Sequence, residues 1–235
     1  MFDLTYFIYA LPAMLFAMWA QHQVKSAYQK WSQVPSAKRL NGMDVAKTLM
    51  QNEGLEYVSV ERIGGTLTDH YDPRGKVMRL SDSATQPSVA AMAIVAHELG
   101  HAAQDREGYF WLRARAGIVG IANLGSNLGT VLFFIGMMLG AVASGGTGQL
   151  GRTIAIAGVI LFSAAVAFTL VTLPVEFNAS ARAKDMLKRN GLVTVEESTG
   201  VNAVLNAAAL TYVAAAAQSI AQLLYFISIL NRRRD

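Results

Sequence analysis

The strongest constraint on this chain is a pair of long runs without a charged side chain, set almost back to back. Residues 116–143 and 153–173 contain no Asp, Glu, Lys, Arg or His. Each meets the roughly 20 apolar residues that a helix needs to cross a hydrocarbon core about 30 Å thick. Backbone groups in lipid must satisfy one another, so such runs fold as helices. Only Ser144 to Arg152, rich in glycine, lies between them. The pair therefore reads as a tight antiparallel hairpin. In its first arm Gly125-x-x-x-Gly129 and Gly136-x-x-x-Gly140 permit close helix approach, whereas the second arm has few such pairs.

Two further apolar blocks flank this hairpin. Residues 4–20 read as a first transmembrane helix, with Trp19 at its end where an interfacial aromatic would sit. No Lys or Arg precedes Lys25, which argues against a cleaved signal peptide and for a retained anchor. Residues 207–230 read as a fourth helix, weaker because it mixes Tyr212, Gln218, Gln222 and many alanines. Such a helix either crosses fully or is largely covered by protein. Composition agrees with a membrane chain: 53% of residues are apolar and 15% charged, against about one quarter charged in soluble domains. Cysteine is absent, which excludes disulfides, thiolate metal sites and cysteine nucleophiles. The net charge of +4 is too small to argue for nucleic acid, and membrane topology explains it better.

Residues 21–115 are polar and read as an α+β domain. Gly42 to Glu53 forms an amphipathic helix stopped by Gly54, and Tyr57 to Ile63 alternates as a strand does. Thr66 to Tyr71 and Lys76 to Leu80 flank Asp72-Pro73-Arg74-Gly75, a hairpin turn by its Pro and Gly. Pro87 opens a helix from Ser88 to about Arg106, ended by Gly108, and Tyr109-Phe110-Trp111 suit an interface.

The chemistry is concentrated in His97-Glu98-Leu99-Gly100-His101. On a helix, positions i and i+4 share a face one turn apart, so both imidazoles can reach one cation. Glu98 stands about 100° round, near enough to take a proton from a water on that cation. Zinc suits two nitrogens and a carboxylate, one ion per chain. The rival reading is two histidines and a glutamate on a partly exposed helix.

A catalytic zinc usually has three protein ligands. On the residues alone the third stays open among His22, His70 and a downstream carboxylate. Glu176 stands out because it closely follows the third apolar block, in a segment (174–206) that continues as helix to Arg189. Its duller reading is a helix-start carboxylate favoured by the dipole. A hairpin of two crossings returns the chain to the side it left, so His97 and Glu176 can share a site.

Four segments together carry a specific resemblance. They are Gly65-Thr66-Leu67-Thr68-Asp69-His70-Tyr71-Asp72-Pro73, Ala96-His97-Glu98-Leu99-Gly100-His101-Ala102, Leu173-Pro174-Val175-Glu176-Phe177-Asn178-Ala179-Ser180 and Ala207-Ala208-Ala209-Leu210-Thr211-Tyr212-Val213-Ala214. Across nearly its whole length the chain resembles the YugP-type membrane zinc metallopeptidases. More widely it is similar to glutamate-zincins of the heat-shock membrane protease and CAAX prenyl protease type. The resemblance implies a mainly α, multi-pass helical membrane protein with a small α+β zincin-like domain, its HExxH helix preceded by a β-hairpin. It implies His97, His101 and Glu176 as zinc ligands and Glu98 as general base. In the wider group the third-ligand helix reads Glu-x-x-Ala-Asp, the Asp orienting a ligand histidine. Ser180 stands at that position here, with Asn178 as the other substitute.

The expected reaction is zinc-assisted hydrolysis of peptide bonds in peptides or membrane proteins, at the lipid bilayer. Candidate donors to the oxyanion are Tyr212, Tyr71, His70 and Arg182, each also readable as packing, hairpin or surface charge. The hairpin strand offers an edge for an extended peptide. A rival from another class is an inactive scaffold that retains a structural zinc, against which the intact Glu98 speaks. A zinc transporter would need ionisable residues inside the apolar blocks, which have none. Lys25, Lys30, Arg106, Arg113, Arg115, Arg182, Lys184, Lys188 and Arg189 all fall on the catalytic side, and only Arg152 lies between blocks two and three. The positive-inside tendency then puts the catalytic site in the cytoplasm. Arg232-Arg233-Arg234 run against that if all four blocks cross.

Overall fold

The structure, a computed structural model, describes residues 4–142 and 146–232, with side chains for 6–140 and 148–232. Ser144 and Gly145 of the expected Ser144–Arg152 link and the tail residues Arg233 and Arg234 lie outside them. The protein is mainly α with one small sheet. Its helices are α1 (Leu4–Ser32), α2 (Gly42–Asn52), α3 (Val89–Arg106), α4 (Phe110–Leu124), α5 (Thr130–Val142), α6 (Gly146–Arg189) and α7 (Val195–Arg232). Its strands are β1 (Ser59–Ile63), β2 (His70–Asp72) and β3 (Val77–Ser81). The chain divides into two compact units, one of Ala20–Leu112 with Pro174–Thr211, the other of the remaining segments.

The first unit is built around α3 and β3. Asn41 and Asp44 form a reciprocal capping box at the start of α2, at 3.0 and 3.1 Å. Ser88 caps α3, which begins at Val89, its hydroxyl accepting the Ala91 N–H at 3.2 Å. Strand β3 is central and almost wholly buried, paired antiparallel with β2 and parallel with β1. The expected hairpin is therefore present, with the earlier strand on its far side. Leu49, Leu55, Met78, Leu80, Met92, Leu99, Met186 and Leu187 form the core. Helix α3 lies inside it, as the small apolar run before His97 suggested. Thr194 and Glu197 box the start of α7, and the second oxygen of Glu197 accepts the Ala37 N–H at 2.7 Å.

Helix boundaries in the second unit differ from the sequence reading in physically sensible ways. The second apolar helix begins at Phe110, six residues before the uncharged run, because nothing between Phe110 and Arg115 breaks a helix. Between α4 and α5 the backbone widens into one π-helical turn, Gly125–Gly129. The expected glycine-rich link is helical from Gly146. Among the described residues three helices are long and apolar enough to cross a membrane, Phe110–Gly140, Gly148–Arg189 and Val195–Arg232. The block at 4–20 begins the longer helix α1, which is not one of the three. The glycines do bring helices together. A Cβ on Gly129 would lie 2.8 Å from the Phe162 nitrogen, and one on Gly158 2.5 Å from the Phe133 nitrogen. So the third block, which looked poor in small pairs, supplies Gly158 as the facing side, together with Gly151 from the link before it. Phe133, Phe162 and Phe226 pack there, Phe133 and Phe226 stacked at 4.0 Å.

Candidate metal centre

Everything in the candidate site belongs to the first unit. Helix α3 presents His97 and His101 one turn apart, and α6 brings Glu176 against them. Glu176 Oε2 lies 3.2 Å from His97 Nε2 and 3.5 Å from His101 Nε2. One donor atom from each residue falls within 4.8 Å of the others. The two imidazoles meet edge to face, with centroids 4.8 Å apart. Among the described residues the one group that could hold a metal ion includes neither His22 nor His70. Two nitrogens and one carboxylate oxygen converging on one point are the donor set zinc prefers.

Burial makes the triad demanding. Glu176 is only 3% exposed, and the histidines are nearly enclosed. A buried carboxylate needs cationic or donating partners. Burial pushes the His101 imidazole down, and the Glu176 carboxylate against it pulls it further up, so its pKa stands above the usual value. Glu98 is 8% exposed and accepts no hydrogen bond among the described residues.

One glycine lets the helices meet. Gly100 is the fourth residue of His-Glu-Leu-Gly-His, and a Cβ there would lie 2.5 Å from the Ala179 carbonyl oxygen. Leu99, beside it, is fully buried in the core. Gly100 thus seats α3 against α6, while His97 and His101 face Glu176.

The ring nitrogens pointing away from the triad have partners. Ser180 Oγ lies 3.3 Å from His97 Nδ1. It stands where the wider group has its orienting aspartate. Asn178, the other substitute considered, makes no hydrogen bond to His97 or His101 among the described residues and accepts from Gln104 instead, at 3.0 Å. Gln104 escaped the sequence reading: its Oε1 lies 3.0 Å from His101 Nδ1. Only its place three residues past His101, on the same helical face, could have found it.

Other candidates are occupied or elsewhere. The Tyr71 hydroxyl donates to Asp105 at 2.7 Å, and Lys76 joins that carboxylate at 2.5 Å. Burial and the neighbouring Asp105 push the Tyr71 phenol well up. Arg182 grips Glu107 through two bonds, at 2.8 and 2.6 Å, and that grip holds Glu107 below the usual carboxylate range. His70 is exposed on β2, its Nδ1 3.0 Å from the Thr68 carbonyl. Tyr212 belongs to the other unit.

The family model described as "Putative neutral zinc metallopeptidase" matches residues 6–231. The chain is 43% identical over 226 residues to the Bacillus subtilis (strain 168) protein named "Putative membrane protease YugP", covering 96% of each. No solved structure matches the chain.

Proposed function

The chain belongs to the family of neutral zinc metallopeptidases matched along nearly its whole length, and we propose that it is a membrane zinc endopeptidase acting at His97, His101 and Glu176. The observation that carries this is the convergence of their three donor atoms, with Glu98 next to His97 in the same helix. Zinc held there would act as a Lewis acid, lowering the pKa of a bound water and polarising a peptide carbonyl. His97 and His101 offer Nε2, and Glu176 offers Oε2. Glu98 accepts the proton of the attacking water and returns it to the leaving amine. The oxyanion also needs a donor from the protein. Tyr71 and Arg182 already engage Asp105 and Glu107, and His70 Nδ1 lies against the Thr68 carbonyl. Substrates are membrane proteins or unfolded chains near the bilayer, and the site faces the cytoplasm, the side that the basic residues flanking the apolar blocks favour.

An inactive scaffold with a structural zinc accounts less well for Glu98, because a structural site has no use for a base beside its ligands. The test is metal content together with cleavage of an unfolded protein. Glu98→Gln should retain stoichiometric zinc and lose activity by about 10²–10⁴-fold. His97→Ala should lose both. Unchanged turnover in Glu98→Gln would overturn the mechanism.

A further inference from the structure

We infer that Gln104 is the positioning residue of the metal centre, a single amide that sets the tautomer of His101 and ties the Glu176 turn to the metal helix. This rests on the reading of the triad as a zinc site. Gln104 is fully buried at the end of the HExxH helix. Its amide nitrogen donates twice, to the Val175 carbonyl at 2.8 Å and to Asn178 Oδ1 at 3.0 Å. Those two acceptors sit on either side of Glu176.

The orientation of this amide follows from its neighbours. A backbone carbonyl only accepts, so the atom facing Val175 must be the NH₂ group. The oxygen is then left facing His101 Nδ1, at 3.0 Å. An amide oxygen only accepts, so Nδ1 must carry a proton, and a neutral His101 keeps its lone pair on Nε2. That nitrogen is the one directed at Glu176.

A second chain of bonds holds Asn178 in the same sense. Arg182 Nε donates to Asn178 Oδ1 at 2.7 Å. A guanidinium only donates, so the Asn178 oxygen must face it, and that oxygen is the one Gln104 also uses. Arg182 is itself clamped by both Glu107 oxygens. From Glu107 to His101 every donor and acceptor role is therefore determined. Ligand histidines need a fixed partner on the far nitrogen, and losing it typically weakens metal binding about 10–100-fold. A glutamine does this where a carboxylate is more usual, and it adds two donors that no carboxylate has.

Two variants of the full-length protein separate these roles, read by zinc competition against a chromophoric chelator and by melting of the metal-free protein. Gln104→Leu keeps the volume and removes the acceptor. Val175 and Asn178 retain their other partners but the His101 Nδ1–H does not, so melting should fall modestly. Zinc affinity should fall about 10–100-fold, more than the change in melting accounts for. Gln104→Glu keeps an acceptor for Nδ1 but turns a donor pair into oxygen facing oxygen. It should hold zinc within a few-fold of wild type and melt lower. Gln104→Leu that binds zinc like wild type, or loses affinity only in step with melting, would overturn the inference. Wild type that fails to bind zinc would instead overturn the zinc reading on which it rests.

Discussion

At the scale of single residues, the metal motif does two jobs, and only one of them was visible in the sequence. His97, Glu98 and His101 could be read because their spacing is a chemical statement. Gly100 could not, since its role depends on what stands opposite, the Ala179 carbonyl three residues beyond Glu176. Gly100→Ala would drive a methyl into backbone that cannot rotate away. The helices must separate, at about 1–3 kcal/mol, and the separation carries Glu176 away from both imidazoles. We expect zinc affinity to fall at least about tenfold by chelator competition. Wild-type affinity in this variant would show that the two helices tolerate a wider gap. Gln104 was missed for a related reason: an amide has no metal-ligand spacing of its own, and its importance lies in the carbonyl and oxygen it reaches on α6.

At the scale of elements, α2 and α6 are pinned together by a carboxylate. Glu53, just past the end of α2, accepts from Arg189 Nε at 2.8 Å, again from Arg189 Nη2, and from Asn190 at 2.8 Å. Arg189 chiefly holds the Glu53 carboxyl below its ordinary value of 4.5, against a smaller opposing effect of burial. A carboxyl lowered in the folded state stabilises above its unfolded value and loses that contribution as pH falls through its folded value. Arg189 is largely exposed, which keeps the effect near 1 kcal/mol or below. Glu53→Gln should therefore melt lower than wild type at pH 7, with the gap closing as pH drops below about 4. A gap that persists at pH 3 would mean that the pair contributes through packing instead. Helix existence was legible throughout, because periodicity and caps are local. Strand order was not: β1 lies beyond β3 through parallel pairing with Val77–Ser81, a contact that no local pattern encodes. The π-helical turn at Gly125–Gly129 was equally silent.

At the scale of the whole molecule, the chain can be tested for orientation because it has no cysteine. Arg74 and Gln149 are both exposed, one at the β2–β3 turn and one near the start of α6. With single cysteines at these positions, an impermeant thiol reagent on intact cells should label Gln149→Cys and spare Arg74→Cys. The reverse would place the peptidase outside. The unbroken α7 bears on the same question, since its 38 residues give the fourth apolar block length enough to cross, despite its glutamines. The separation of the ligands has a consequence in time. His97 and Glu176 are 79 residues apart, with the paired apolar helices between them. A ribosome adding about 5–20 residues per second needs roughly 4–16 s to pass from one to the other. Throughout that interval the nascent chain holds two histidines and a base but no complete cage for the ion. If the proposed zinc site is right, hydrolytic competence would wait until the residues of the hairpin have been made, so that a half-made copy beside its own newborn neighbours would be harmless.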